Sequence, residues 1–234
     1  DVDDGFQIAE GDWETNNRFN GTRDMRRITD AIHSYGLKAK LWWAPLAADP
    51  DTKILREHPE MLLKDSQGAP EYITWWDSWY LSPVNPETMK YSISLVDRFI
   101  GEWGFDGLQL DGQHLNCCLP DHNHHSHLEY PEESVEKLPE FFQGIFDRAR
   151  EIKPYSVVQI CPCGCAMNFF LTPHMNQAVA SDPTSSAQIR MKRKVYSAMC
   201  PDMAYYADHI ELSDEANDYG TQIGIGGVIG SKFT

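Results

Sequence analysis

Two aspartates carry the chemical content of this chain. Asp111 closes the run Gly-Phe-Asp-Gly-Leu-Gln-Leu-Asp-Gly at residues 104–112, and Asp182 lies further on in Ser181-Asp182-Pro183. Leu108 and Leu110 alternate with Gly107, Gln109 and Asp111, the two-residue period of a short strand. A carboxylate at the carboxyl end of a strand that follows a helix sits where α/β barrels carry their chemistry. Asp106 opens the same strand, roughly 16 Å away at about 3.3 Å per residue, and is read as structural. Asp182 follows a second candidate strand, so the two carboxylates would face one mouth. Cleavage of a glycosidic bond needs such a pair, one to attack the anomeric carbon and one to protonate the leaving oxygen. The donor needs a raised pKa, which partial burial beside another carboxylate supplies. From the residues alone, the alternative is that Asp182 is only a helix cap before Pro183 and Thr184.

The elements that must position these residues alternate in type. Arg23 to Tyr35 has helical spacing of Met25, Ile28, Ala31 and Ile32 and ends at Gly36. A strand is expected over Leu37 to Trp43, then a short helix over Thr52 to Glu57 stopped by His58-Pro59. Glu87 to Trp103 reads as a long helix with Pro86 before it and Gly104 after it. A polar loop over residues 112–133 follows the Asp111 strand, then a helix over Ser134 to Lys153. Strands are expected at Ser156 to Ile160, Gln177 to Ser181, Ala204 to Ala207 and Gly224 to Ile229, with a helix over Thr184 to Met199. This order favours a parallel α/β architecture. With a strand ending before Asp3 and one in the region 72–81, the count is eight, a (β/α)8 TIM barrel truncated at both ends. Residues 1–234 then form a single catalytic domain, and Asp1-Val2-Asp3-Asp4 is expected to be the end of a strand in an excised part of a longer protein.

The 234 residues suffice for one such domain, and the net charge of −15 argues against nucleic acid and anionic membrane surfaces as partners. The six cysteines, at 117, 118, 161, 163, 165 and 200, are too crowded for the disulfide framework of a small secreted domain. Asn20-Gly21-Thr22 fits a glycosylation sequon. The histidines at 122, 124, 125 and 127 lie near Cys117 and Cys118, but Cys-Cys and Cys-x-Cys-x-Cys lack the two-to-four-residue gaps of zinc signatures. The expectation is a solvated loop rimming the site, with no metal and no cofactor.

The motifs Asp3-Asp4-Gly5-Phe6, Gly11-Asp12-Trp13, Leu41-Trp42, His58-Pro59, Leu108-Gln109-Leu110-Asp111 and Ser181-Asp182-Pro183 cover nearly the whole chain. In this order they resemble the melibiase-type retaining α-galactosidases. The resemblance implies a (β/α)8 catalytic domain, normally flanked by an N-terminal β-sandwich and a C-terminal β-domain, acting on an oligosaccharide or glycoconjugate with a terminal α-galactosyl-type sugar. It implies that Asp111 is the nucleophile and Asp182 the acid/base. Asp3 and Asp4 resemble the tandem aspartates that accept hydrogen bonds from sugar hydroxyls, although an Asp-Asp-Gly turn explains them too. Trp42 resembles the pocket-wall tryptophan, with Trp43 the expected core residue.

Two departures matter. The family usually has a lysine two residues before the nucleophile, where this chain has Gln109; Lys38 and Lys40 share strand parity with Trp42 and are candidates to replace that cation. In Cys161-Pro162-Cys163-Gly164-Cys165 the family has a cysteine followed by glycines near the sugar's C2 position. Cys161 and Gly164 are expected to keep that role, and the altered loop opens the alternatives of an α-N-acetylgalactosaminidase or α-galactosaminidase. A transglycosidase and a non-catalytic carbohydrate-binding barrel are further alternatives, and a homo-oligomer is compatible with the sequence. Trp75, Trp76 and Trp79 suit a glycan subsite, a hydrophobic lid or an interdomain contact.

Overall fold

The computed structural model describes residues 1–208 and 218–229. A small hairpin, β1 (Gln7–Ala9) and β2 (Asp12–Thr15), leads into α1 (Thr22–Ser34) and β3 (Lys40–Trp43). The chain then runs through β4 (Ala47–Ala48), α2 (Lys53–Glu57), β5 (Tyr72–Ile73), β6 (Ser78–Tyr80) and α3 (Pro86–Val96). After β7 (Gly107–Asp111) come α4 (Glu133–Glu136), α5 (Leu138–Ile152), β8 (Val157–Cys161), β9 (Gln177–Val179), α6 (Ser186–Met199), β10 (Ala204–Tyr206) and α7 (Asp218–Gly224).

Five strands form a parallel sheet in the order β3-β7-β8-β9-β10. Single parallel bridges extend it at both edges, Val2 to Leu41 and Tyr206 to Val228. Seven parallel segments therefore succeed one another in chain order, and no closed barrel is formed among the described residues. The expected strand in the region 72–81 is not one of the seven. β6 instead pairs antiparallel with β5 on one side and β4 on the other, and β3 pairs directly with β7, Lys40 opposite Gly107. The last expected strand, Gly224 to Ile229, is reduced to the single bridge at Val228, because α7 runs to Gly224.

One face of each parallel strand packs against helices and the other faces inward. Leu41, Trp43, Leu108, Leu110, Val158 and Ile160 are buried in one cluster with Phe99, Phe141, Phe142 and Ile145. Trp43 meets Phe99 edge-on at 5.7 Å, and Phe99 lies in the π-helical segment Asp97–Glu102 that carries α3 onward. The expected helix over 134–153 is broken between Glu136 and Leu138, since Pro139 has no N–H to continue the ladder and restarts the helix at its first turn. β7 and β8 approach so closely that a Cβ on Gly107 would stand 2.4 Å from the Val157 carbonyl oxygen. Asp106 anchors the floor as expected: it accepts from Ala39 N at 2.9 Å and pairs with His33 Nε2 at 2.6 Å and Lys153 Nζ at 3.1 Å. No described helix is long and apolar enough to cross a membrane.

Candidate active site

The strand register gathers the polar residues at one end of the sheet. Asp111 is the last residue of β7 and lies opposite Cys161, the last residue of β8. Both of its carboxylate oxygens are engaged. Trp42, from the end of β3, donates its Nε1–H to Oδ2 at 2.8 Å, and the Cys163 thiol donates to Oδ1 at 2.9 Å. Burial pushes the Asp111 carboxyl above its usual pKa and the nearby charge of Asp182 adds to this, while hydrogen bonds from Cys163, Trp42 and Cys161 pull it back. The backbone then turns at Gly112, whose φ of 137° and want of a side chain leave room for the buried His114 ring.

Asp182 stands on a strained turn. Ser181 and Asp182 both adopt left-handed backbone, with φ of 58° and 42°, which costs about 1–3 kcal/mol for each non-glycine residue. Three contacts hold the turn. Asp208 Oδ2 accepts from the Asp182 backbone N–H at 2.7 Å, Lys192 Nζ donates to the Ala180 and Ser181 carbonyls, and Ser181 Oγ accepts from Gly164 N at 2.7 Å. That last bond ties the Asp182 turn to the loop that carries Cys163. Asp182 itself is exposed to solvent.

Asp3 and Asp4 follow the Val2 bridge and are both exposed; Gln7 Nε2 donates to Asp4 Oδ1 at 2.6 Å. Gln109 is half-buried on the face of β7 that carries Asp111. Cys161 is buried, with its thiol pKa pushed up by its hydrogen bond to Cys163 and by burial, and Gly164 is exposed at the mouth. Trp42 corrects the expectation in one respect. Its indole is 3% exposed and covered by Trp13 and Trp76, with ring centroids at 6.0 Å and 5.4 Å, so it meets the site through its N–H rather than its face. Trp43 is the core residue expected.

Neither lysine replaces the family's cation beside Asp111. Lys38 is exposed at the floor, 4.0 Å from Asp106. Lys40 lies one layer below Trp42, bonded to Gln159 at 2.5 Å and Gln177 at 3.4 Å. Burial lowers its pKa to about 8, against the opposing charges of Asp208, Cys161 and Asp3. The loop over 112–133 is also more ordered than expected. Asp121, Asn123 and Ser126 are buried, and Asn123 Nδ2 donates to the Glu60 and Leu62 carbonyls.

Sequence reasoning missed Cys163, Ser181, Lys192 and Asp208. Cys163 belonged to a motif already singled out, but its partner comes from another strand. The other three act through backbone groups, which residue type does not reveal.

An α/β protein with carboxylates converging at the carboxyl ends of parallel strands, one of them clamped by an indole and a thiol, has the layout of a paired-carboxylate active site. A family model described as melibiase matches residues 2–221, and the chain belongs to that family. It is 32% identical to an A type blood α-D-galactosamine galactosaminidase from Flavonifractor plautii, over 99% of this chain and 22% of that protein. The chain thus spans less than a quarter of that relative's length. Its fold is similar to that of an α-galactosidase from Thermus thermophilus in complex with p-nitrophenyl α-D-galactopyranoside, at 20% identity and a TM-score of 0.71, covering 98% of this chain and 50% of that one. A GH36 α-galactosidase from Geobacillus stearothermophilus in complex with raffinose gives 16% identity and a TM-score of 0.70, covering 98% of this chain and 33% of that one.

Proposed function

We propose that this chain is the catalytic part of a retaining glycoside hydrolase that cleaves terminal α-galactosides by double displacement. The observation that carries the reading is Asp111, oriented through both oxygens at the end of β7, with the Asp182 turn near enough for its charge to act on Asp111. An Asp111 oxygen attacks the anomeric carbon as Asp182 protonates the leaving oxygen, giving a glycosyl-enzyme. Asp182 then takes a proton from water, which displaces Asp111. No step calls for a cofactor. Asp3 and Asp4 accept from sugar hydroxyls, Gln109 donates to or accepts from them, and Cys161 and Gly164 line the C2 side.

The seven parallel segments in chain order support a (β/α)8 barrel truncated at both ends. A single catalytic domain at residues 1–234, flanked by β-domains, is what the resemblance to the melibiase family implies. A terminal α-galactosyl oligosaccharide is the partner we infer, as raffinose is in the Geobacillus complex. A second reading, α-galactosaminidase, is favoured by the name of the relative that is 32% identical. It also suits the exposed carboxylates Asp3, Asp4 and Asp182, which would attract a C2 ammonium.

The test is hydrolysis of aryl α-galactoside and its 2-amino and 2-acetamido counterparts by the natural polypeptide that carries this chain. Asp182→Ala is expected to slow turnover about 10²–10⁴-fold and to regain it with azide, while Asp111→Ala abolishes the reaction. Full turnover by Asp111→Ala overturns the assignment, and the preferred sugar decides between the two readings.

A further inference from the structure

The Cys163 thiol faces the nucleophile together with a second thiol. Asp111, Cys161 and Cys163 each offer one ligand atom, and the three atoms all lie within 4.8 Å of one another. Cys163 Sγ is already 2.9 Å from Asp111 Oδ1. Two sulfurs and one carboxylate oxygen form a donor set that suits zinc, with metal–sulfur distances of about 2.3 Å and metal–oxygen distances of about 2.0–2.2 Å. Tetrahedral geometry at those lengths separates the ligand atoms by about 3.5–3.8 Å, inside the 4.8 Å that bounds the three atoms here. Such a site keeps a fourth position open toward the mouth.

The structure assigns to these three residues a site for a thiophilic divalent cation of the zinc class that switches the nucleophile off. On binding, each thiol loses its proton to solvent and three metal–ligand bonds form, so one M²⁺ is exchanged for two protons and the site carries one net negative charge. Asp111 Oδ1 becomes a metal ligand, which withdraws electron density from the carboxylate and places the cation between it and the anomeric carbon, so the nucleophile is lost while Oδ2 keeps its bond from Trp42. Removal of the metal restores the carboxylate. The inhibitory consequence rests on the reading of Asp111 as the nucleophile; the metal site itself does not.

Cobalt(II) titration of the natural polypeptide tests the site directly, because thiolate-to-cobalt charge transfer gives a near-ultraviolet band irrespective of activity. The band is expected at one equivalent, displaced by zinc, and lost in Cys161→Ser and in Cys163→Ser. Hydrolysis of aryl α-galactoside should be lost as zinc saturates and return with a chelator. Unmutated protein supplies a second measurement that needs no variant to fold: zinc should protect Cys163 from alkylation, read by mass spectrometry. A band that survives both serine variants, or alkylation of Cys163 unaffected by zinc, overturns the site. A band with undiminished hydrolysis at saturating zinc overturns the switch. Failure of the hydrolase reading looks different: no galactoside is turned over by metal-free protein, yet the band and the protection persist.

Discussion

Replacing Trp42 with phenylalanine retains an aromatic ring between Trp13 and Trp76 while deleting the N–H that meets Asp111 Oδ2 at 2.8 Å. A hydrogen bond to a charged group contributes about 1.5–3 kcal/mol, and both partners are buried enough for solvent to screen it little. The bond favours the carboxylate over the carboxylic acid, so its loss leaves Asp111 easier to protonate. The acid limb of kcat/KM, which follows the free enzyme's nucleophile, then moves to higher pH. On that limb the variant should be slower by about 10- to 150-fold, the rate equivalent of that free energy. Above the limb both proteins hold an ionised Asp111 and the gap narrows. The assay is kcat/KM for an aryl α-galactoside across pH, for wild type and Trp42→Phe. A ratio that stays constant with pH would refute the reasoning, since it would mean that Trp42 acts by packing or by holding sugar and not by sustaining the charge.

Asp111→Asn should stabilise the protein at neutral pH. The folded pKa lies above the ordinary 3.8, so the native state binds more protons than the unfolded one across that window, and wild-type stability falls as pH rises through it. The amide avoids this loss, and urea midpoints at several pH values should show its advantage growing toward neutrality; a difference independent of pH would count against it. Asp106 has the opposite sign. Its folded pKa is lowered, with burial opposed by the stronger combined pull of Ala39 N–H, His33 and Lys153. Its contribution is therefore present above the ordinary 3.8 and lost as pH falls through the folded value. Asp106→Asn should lose about 1–3 kcal/mol near neutrality with kcat unchanged, and the deficit should vanish in acid. Gly112→Ala places a Cβ 2.2 Å from His114 Cε1, whereas a Cβ on Gly36, also at positive φ, meets nothing within 4 Å. Urea denaturation should show Gly36→Ala losing about 1–2 kcal/mol and Gly112→Ala losing distinctly more.

The legible parts of the fold were those whose signal is local. Alternation around Leu108 and Leu110 marked β7, Gly36 marked the end of α1, and Pro86 marked the start of α3. The region 72–81 was misassigned because β propensity identifies a strand without identifying its partner. Tyr72, Ile73, Trp79 and Tyr80 are good strand residues, but they pair back on one another, and Trp79 and Tyr80 find their second partner in Ala48 and Ala47, about thirty residues upstream. The positions of Asp111 and Asp182 at or just past strand ends could be read because a carboxylate after a strand is a property of the sequence. The supports of Asp182 could not, since left-handed backbone at two non-glycine residues leaves no mark in residue type.

The substitution of Gln109 for the family's usual lysine has a physical consequence that runs through the whole site. A nucleophilic carboxylate buried at a strand end must be kept ionised, and a cation beside it is the direct means. Here Lys40, a buried cation on the inner face, is bonded a layer lower to Gln159 and Gln177. The contacts that favour the charge of Asp111 are instead neutral donors, led by the thiol of Cys163 and the indole of Trp42. Neutral donors stabilise a carboxylate less than a full charge does, which agrees with an Asp111 pKa left above its ordinary value. The position two residues before Asp111 then brings no positive charge of its own. A site of that kind disfavours a C2 ammonium less than a lysine-bearing one would, so the cysteine loop and Gln109 are best read as one change. Reintroducing the cation by Gln109→Lys should therefore penalise a 2-amino-galactoside more than the parent α-galactoside, measured as the ratio of their kcat/KM values. Equal loss on both sugars would separate the loop from the cation.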